Sequence, residues 1–219
     1  MPFRSVFDHW FVLWSAIAAG VFVLITGVLV VALLRNRAGR RARPAFRASS
    51  NNVVEGGIVV LLACAAGFLV WGSLTANSEV DGGVGLAADP SGPEPVTISV
   101  EAFRWCWRFD YQQAPIERTG TCANEQSFPT VVVPAGQPVE FDLTSRDVVH
   151  SFWLPDFAAK RDVYPDHVNT LRMTFPHEGR WRGRCSEYCG THHMTMDFYV
   201  RVVSPEQYQQ FVASGGASA

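Results

Sequence analysis

Hydrophobic and polar positions fall into two regimes along the chain. Residues 10–34 contain no Asp, Glu, Lys or Arg, and neither do residues 56–75. A helix needs about 20 mostly apolar residues to cross a bilayer, so both runs are long enough to span. From Thr97 onward the apolar residues come in short runs instead: 98–103, 130–133, 139–143, 170–175 and 197–203. Pro134-Ala135-Gly136 and Pro176-His177-Glu178-Gly179 punctuate them. Short strands separated by turn signals predict an all-β sandwich or barrel. The expected organisation is a two-helix transmembrane hairpin over residues 1–75, a Gly, Pro and acid-rich linker over 76–96, a β domain over 97–204 and a tail over 205–219. In the tail a short helix is predicted through Pro205–Phe211, followed by a disordered Ser/Gly/Ala end. The sequence shows no internal repeat.

Charge orients the hairpin. Arg35, Arg37, Arg40, Arg41, Arg43 and Arg47 cluster with no acid among them, in the loop 35–54 between the spans. The positive-inside rule assigns that loop to the cytoplasm and puts both termini and the β domain outside the membrane. A cleaved signal peptide carries its positive charge before the apolar run and ends in a small-residue cleavage site. Here the charge follows the run, so the first span reads as a retained anchor. From residue 75 onward 18 acidic residues face 11 basic ones. That balance argues against a nucleic-acid partner and for a cationic protein.

The densest chemistry is the run Cys185-Ser186-Glu187-Tyr188-Cys189-Gly190-Thr191-His192-His193-Met194-Thr195-Met196, with His150 upstream at the end of a strand-like run. Thiolate and thioether are soft ligands, and together with imidazole they favour copper. A second cysteine allows both sulfurs to bridge two ions, each finished by one histidine, with Met and a backbone carbonyl as weak axial ligands. Two other readings stand at this point. A Cys185–Cys189 disulfide suits an oxidising compartment. Structural zinc takes two Cys and two His but has no use for the methionine.

The order C-S-E-x-C-G-x-x-H-x-x-M resembles the dinuclear-copper (CuA) loop of cytochrome c oxidase subunit 2. Asp147-Val148-Val149-His150-Ser151-Phe152 is similar to the family's D-V-x-H-S segment, and Trp105-Cys106-Trp107-Arg108-Phe109-Asp110-Tyr111 to its W-Y-W-x-Y-x-Y run. The resemblance implies a cupredoxin-like Greek-key domain on a two-span anchor. Its copper ligands would be His150, Cys185, Cys189, His193 and Met196, with Glu187 acting through its carbonyl. The family's spacing selects His193 over His192 and Met196 over Met194. The Glu187 side chain would help hold magnesium at the join with a haem-bearing catalytic subunit 1, among further oxidase subunits. Electrons from cytochrome c would enter through Trp105 and pass on to haem for reduction of oxygen to water. Asp162 is a docking acid by this reading, and Glu55 stands where the family places proton uptake. Asn52-Val53-Val54-Glu55 also fits a helix capping box.

The match is incomplete. Gly56-Gly57-Ile58-Val59 replaces a Trp-Thr-Pro pattern, and Pro165-Asp166-His167 lacks the arginine of a Pro-Gly-Arg segment. Cys106 stands where the family has tyrosine, and Cys122 lies beyond a turn around residues 114–120. Two cysteines on opposite arms of one hairpin, in an oxidising compartment, point to a disulfide. Cys64, inside the second span, reads as packing. A quinol-oxidase subunit of this fold would lack the ligands, all six of which are present. The electron-accepting subunit of a CuA-type nitric oxide reductase and a membrane-tethered copper carrier are the alternative functions.

Overall fold

The structure, a computed structural model, describes residues 2–37, 51–84 and 94–217. It comprises two compact units, a helical one over Val6–Glu79 and another that holds the β domain.

The helical unit is built from α1 (Pro2–Arg37) and α2 (Asn52–Val84). At about 1.5 Å of rise per residue both exceed the roughly 30 Å hydrocarbon core of a bilayer. Their large apolar side chains face outward, with Phe22 70% and Leu61 68% exposed. Such surface is stable against lipid, where a helix satisfies every backbone group internally. Near the start of α1 and the end of α2, Trp14 packs edge-on to Phe68 and Trp10 to Trp71. This pairing requires Gly72, because a Cβ there would lie 2.9 Å from both Trp10 and Trp14. The cluster has the composition of an interfacial aromatic belt.

Two details depart from the sequence pattern. The cap of α2 is Asn51, not Asn52: its Oδ1 accepts from the amides of Val53 and Val54 at 3.2 and 3.3 Å. Glu55 falls in the first turn, where a carboxylate complements the positive end of the helix. The helix also continues past Thr75 through residues assigned to a linker. Thr75 and Ser78 turn their hydroxyls onto helical carbonyls, so the polar residues do not compete with the helix, and no proline intervenes before Pro90. Arg40, Arg41, Arg43 and Arg47 lie outside the described residues.

The β domain contains β1 (Val96–Phe103), β2 (Cys106–Tyr111), β3 (Glu117–Thr119), β4 (Thr130–Pro134), β5 (Pro138–Ser145), β6 (His150–Leu154), β7 (Ala159–Val163), β8 (Asn169–Thr174), β9 (Gly179–Cys185) and β10 (Asp197–Val203), closed by α3 (Pro205–Ala213). One sheet runs β3-β2-β1-β5-β8 and the other β4-β10-β9-β6-β7. β1 pairs in parallel with β5, and β10 with β4. This is the cupredoxin-like sandwich the sequence predicts. Its inner faces follow the two-residue period of a half-buried strand, with Ile98, Val100 and Ala102 of β1 on the same face as Val139, Phe141 and Leu143 of the neighbouring β5, all buried. Between the sheets Phe152 stacks on Phe198 at 4.6 Å, and Trp107 meets both edge-on. Gly183 admits the Phe198 ring; a Cβ would sit 2.0 Å from it.

β9 was invisible to the pattern because its outward positions are Arg180, Arg182 and Arg184, while its inward ones are Trp181, Gly183 and Cys185. The tail is ordered through Ala217 rather than disordered from the helix end. Phe211 is fully buried beside Tyr111, and Arg118 hydrogen-bonds the Gly216 carbonyl.

Candidate metal centre

Three segments meet at one end of the second sheet. His150 opens β6 rather than ending a strand, Cys185 closes β9, and Met196 immediately precedes β10. The loop between β9 and β10 is tied at both ends, by the Cys185 amide on the Met196 carbonyl (3.0 Å) and the Ser186 amide on the Ser151 carbonyl (3.2 Å). Asp197, 1% exposed, anchors the far end by pairing with Arg182 and with Arg184 Nε at 3.2 Å.

The sulfur and nitrogen atoms converge. Cys185 Sγ lies 3.8 Å from Cys189 Sγ and 3.8 Å from His150 Nδ1. Cys189 Sγ lies 3.7 Å from both His193 Nδ1 and Met196 Sδ. The Glu187 carbonyl oxygen is 3.2 Å from Cys185 Sγ. His150 and Met196 are fully buried, while Met194 is 72% exposed and His192 packs on the Trp105 ring. The two sulfurs are not bonded to one another. An ion about 2.3 Å from a thiolate sulfur can reach both at this separation. The histidines stand on different cysteines, a donor set with two ends. Thiolate, imidazole and thioether together fit copper better than zinc, which would leave the buried Met196 without a role.

Electrostatics prepare the site for a cation. The shared hydrogen bond with Cys189 is the main cause that draws the Cys185 thiol down to about 3, against the effect of burial. The same contact, then burial, pushes Cys189 up. The pair therefore holds one negative charge and one proton, and a metal displaces the proton. Burial works against charge on His150, but Cys185 and Asp147 outweigh it and raise its pKa. His150 Nε2 lies 2.9 Å from Asp147 Oδ1, which leaves Nδ1 toward the sulfurs. Burial opposes the Asp147 charge too, yet hydrogen bonds from His150, Arg104 and Val148 hold the carboxyl down at about 2.

Around the loop, Trp105 donates its indole N–H to the Cys189 carbonyl at 3.0 Å, and Trp107 to the Met196 carbonyl at 3.3 Å. Gly190, at φ 118°, lets Trp105 approach; a Cβ would lie 3.1 Å from its Nε1. Lys160 Nζ sits 3.3 Å from Asp162 and 4.0 Å from Glu187. The Glu187 carboxylate thus faces an ammonium, and among the described residues no group of three ligands surrounds it. Cys106 and Cys122 are joined by a disulfide. Glu55 lies in the helical unit, exposed. Sequence reading missed Asp147 and Lys160 as parts of the site: Asp147 sat inside the quoted motif, whereas nothing marked Lys160, whose position comes from the β6–β7 pairing.

Residues 117–203 match the sequence family described as cytochrome C oxidase subunit II, periplasmic domain. The chain is 35% identical over 157 residues to a probable cytochrome c oxidase subunit 2 of Streptomyces avermitilis, covering 56% of this chain and 49% of the relative. It is 45% identical over 103 residues to cytochrome c oxidase subunit 2 of Corynebacterium diphtheriae, covering 44% of this chain and 28% of the relative. The chain therefore spans about half or less of the length of these curated relatives. Its fold is similar to the crystal structure of the periplasmic domain of subunit II of cytochrome oxidase from Bradyrhizobium japonicum, with TM-score 0.51 and 27% identity, covering 56% of this chain and 95% of that one.

Proposed function

We propose that this chain is the electron-accepting subunit of a respiratory haem–copper oxidase, a reading supported by the likeness of residues 117–203 to the cytochrome c oxidase subunit II periplasmic domain and of the chain to its relatives. It would take electrons from cytochrome c and deliver them to haem in a catalytic subunit that reduces oxygen. The observation that carries this reading is the convergence of Cys185, Cys189, His150, His193 and Met196, with the Glu187 carbonyl, at one end of the sandwich. Dinuclear copper bound there would supply one-electron chemistry with little rearrangement.

The rest of the work falls to the chain's own groups. Asp147 orients His150, and the Arg182–Asp197–Arg184 cluster holds the loop end beside Met196. Trp105 packs on the loop at its partly exposed rim, where a donor protein would meet it. The hairpin would anchor the domain outside a bacterial cell membrane with the arginine-rich loop in the cytoplasm, and Glu55 near that loop would serve proton uptake. Glu187 would serve magnesium only through ligands contributed by the catalytic subunit, and only once Lys160 yields.

The test is oxygen uptake by the purified complex that contains this chain, driven by reduced cytochrome c. The reading expects turnover that the Cys185→Ser, Cys189→Ser double substitution abolishes. Turnover unaffected by that substitution, or consumption of nitric oxide and no oxygen, would overturn it.

A further inference from the structure

The tip of the β1–β2 hairpin is fastened at three consecutive residues to three separate segments. Phe103 pairs with Cys106, so Arg104 and Trp105 form the tip itself. The Arg104 amide donates to Asp147 Oδ2 at 2.8 Å, Trp105 donates to the Cys189 carbonyl, and Cys106 is bonded to Cys122. Cys122 Sγ in turn touches the carbonyl oxygen of Asp197 at 3.4 Å, next to Met196. Cys106 is thus flanked on both sides by tryptophans that donate to carbonyls of the copper-binding loop.

These fastenings differ in permanence. The Arg104 side chain is 50% exposed and Trp105 is partly exposed, so water competes for both of their bonds. The two bonded cysteines are 1% and 4% exposed, and their link does not exchange with water. Cys122 holds a left-handed conformation, φ 53°, which a residue with a Cβ adopts only where its surroundings impose it. A disulfide serving stability alone could close a loop anywhere in this sandwich. This one closes the loop that begins at the residue after Trp105.

We propose that the Cys106–Cys122 disulfide is a positioning device that keeps Trp105 seated on the Cys189 carbonyl and thereby sets how fast an external donor passes electrons into the loop. The inference rests on the electron-accepting reading above. Without the bond, Arg104 and Trp105 keep only hydrogen bonds open to water and the packing of His192 on the Trp105 ring, and the tip detaches more often from the loop.

Two double variants test it, Cys106→Ser, Cys122→Ser and the apolar Cys106→Val, Cys122→Ala. In the metal-free full-length chain, nuclear magnetic resonance follows deuterium exchange at the Trp105 indole N–H. Exchange should accelerate about tenfold or more, a shift of about 1.4 kcal/mol in opening, while Trp181 at the far end of β9 stays unchanged. In the copper-loaded complex, electron transfer from the donor should slow by a similar factor, while onward transfer to haem after pulsed photoreduction of the site stays within twofold. Unchanged Trp105 exchange and donor rate would overturn the proposal. So would loss of copper uptake in both variants, since the bond would then support the fold at large. If the unaltered complex accepts no electrons from cytochrome c, the functional reading fails, and the indole exchange still decides the positioning claim.

Discussion

His150 Nε2 lies 2.9 Å from Asp147 Oδ1 while its Nδ1 faces Cys185 Sγ at 3.8 Å. A carboxylate on the outer nitrogen fixes the tautomer and strengthens the inner nitrogen as a ligand. Asp147 also accepts from the Arg104 and Val148 amides at 2.8 and 2.7 Å, so it is itself held in place. Asp147→Ala should weaken copper binding by about 10–100-fold, read by competition against a chelator of fixed affinity. Asp147→Asn should fall between the two. Equal affinity in all three proteins would remove Asp147 from the site.

Lys160 lies within ion-pair distance of two acids, Asp162 at 3.3 Å and Glu187 at 4.0 Å. An exposed ion pair contributes at most about 1 kcal/mol to stability, so Lys160→Ala should fold normally. It removes one positive charge beside Asp162 and Glu187, and association with a cationic donor should rise about threefold at low ionic strength, with the gain vanishing in high salt. Stopped-flow measurement across a salt series checks this. A slower association would mean that Lys160 itself meets the donor.

The Tyr111 hydroxyl donates to the Val132 carbonyl at 2.8 Å and accepts from the Val132 amide at 2.6 Å. Tyr111→Phe leaves both buried groups without that partner and should cost roughly 1–3 kcal/mol in urea unfolding of the exported domain. Burial also raises the phenol above its ordinary value of about 10. A raised folded-state pKa means the folded chain keeps a proton that the unfolded chain loses, so this contribution is full below pH 10 and declines as pH rises past it. The phenylalanine variant should show a shallower alkaline loss of stability.

Gly183 is the contact point for Phe198, at the centre of the aromatic stack. Gly183→Ala forces the ring to move and should destabilise the domain by about 1–3 kcal/mol. A shift of the urea midpoint at constant slope measures it, and an unchanged midpoint would mean the stack yields without cost.

What the sequence conveyed depended on whether a residue's role is written locally. The spans were legible because charge is excluded for the length of a bilayer crossing. The candidate metal loop was legible because five donors, Cys185, Glu187, Cys189, His193 and Met196, fall at fixed spacing within one segment, with only His150 outside it. β1 and β5 alternate cleanly and β10 is a short, nearly continuous apolar run, and all three were found. β9 was missed because arginines fill its outer face and glycine its centre, where Phe198 occupies the space a side chain would take. The continuation of α2 beyond Thr75 was missed because Ser and Thr read as linker residues, whereas their hydroxyls bond back to the helix. The contacts of Lys160 and the order of the tail at Gly216 depend on pairing between distant segments, which composition does not encode.

On the proposed reading Cys185 and Cys189 would together hold two copper ions rather than one metal or none. Metal analysis combined with electron-spin resonance of the purified, oxidised complex tests it most directly. The account predicts two coppers in this chain and a seven-line hyperfine pattern from one electron shared by two equivalent nuclei. A single copper with a four-line pattern, or a zinc-bound site with no copper signal, would contradict it.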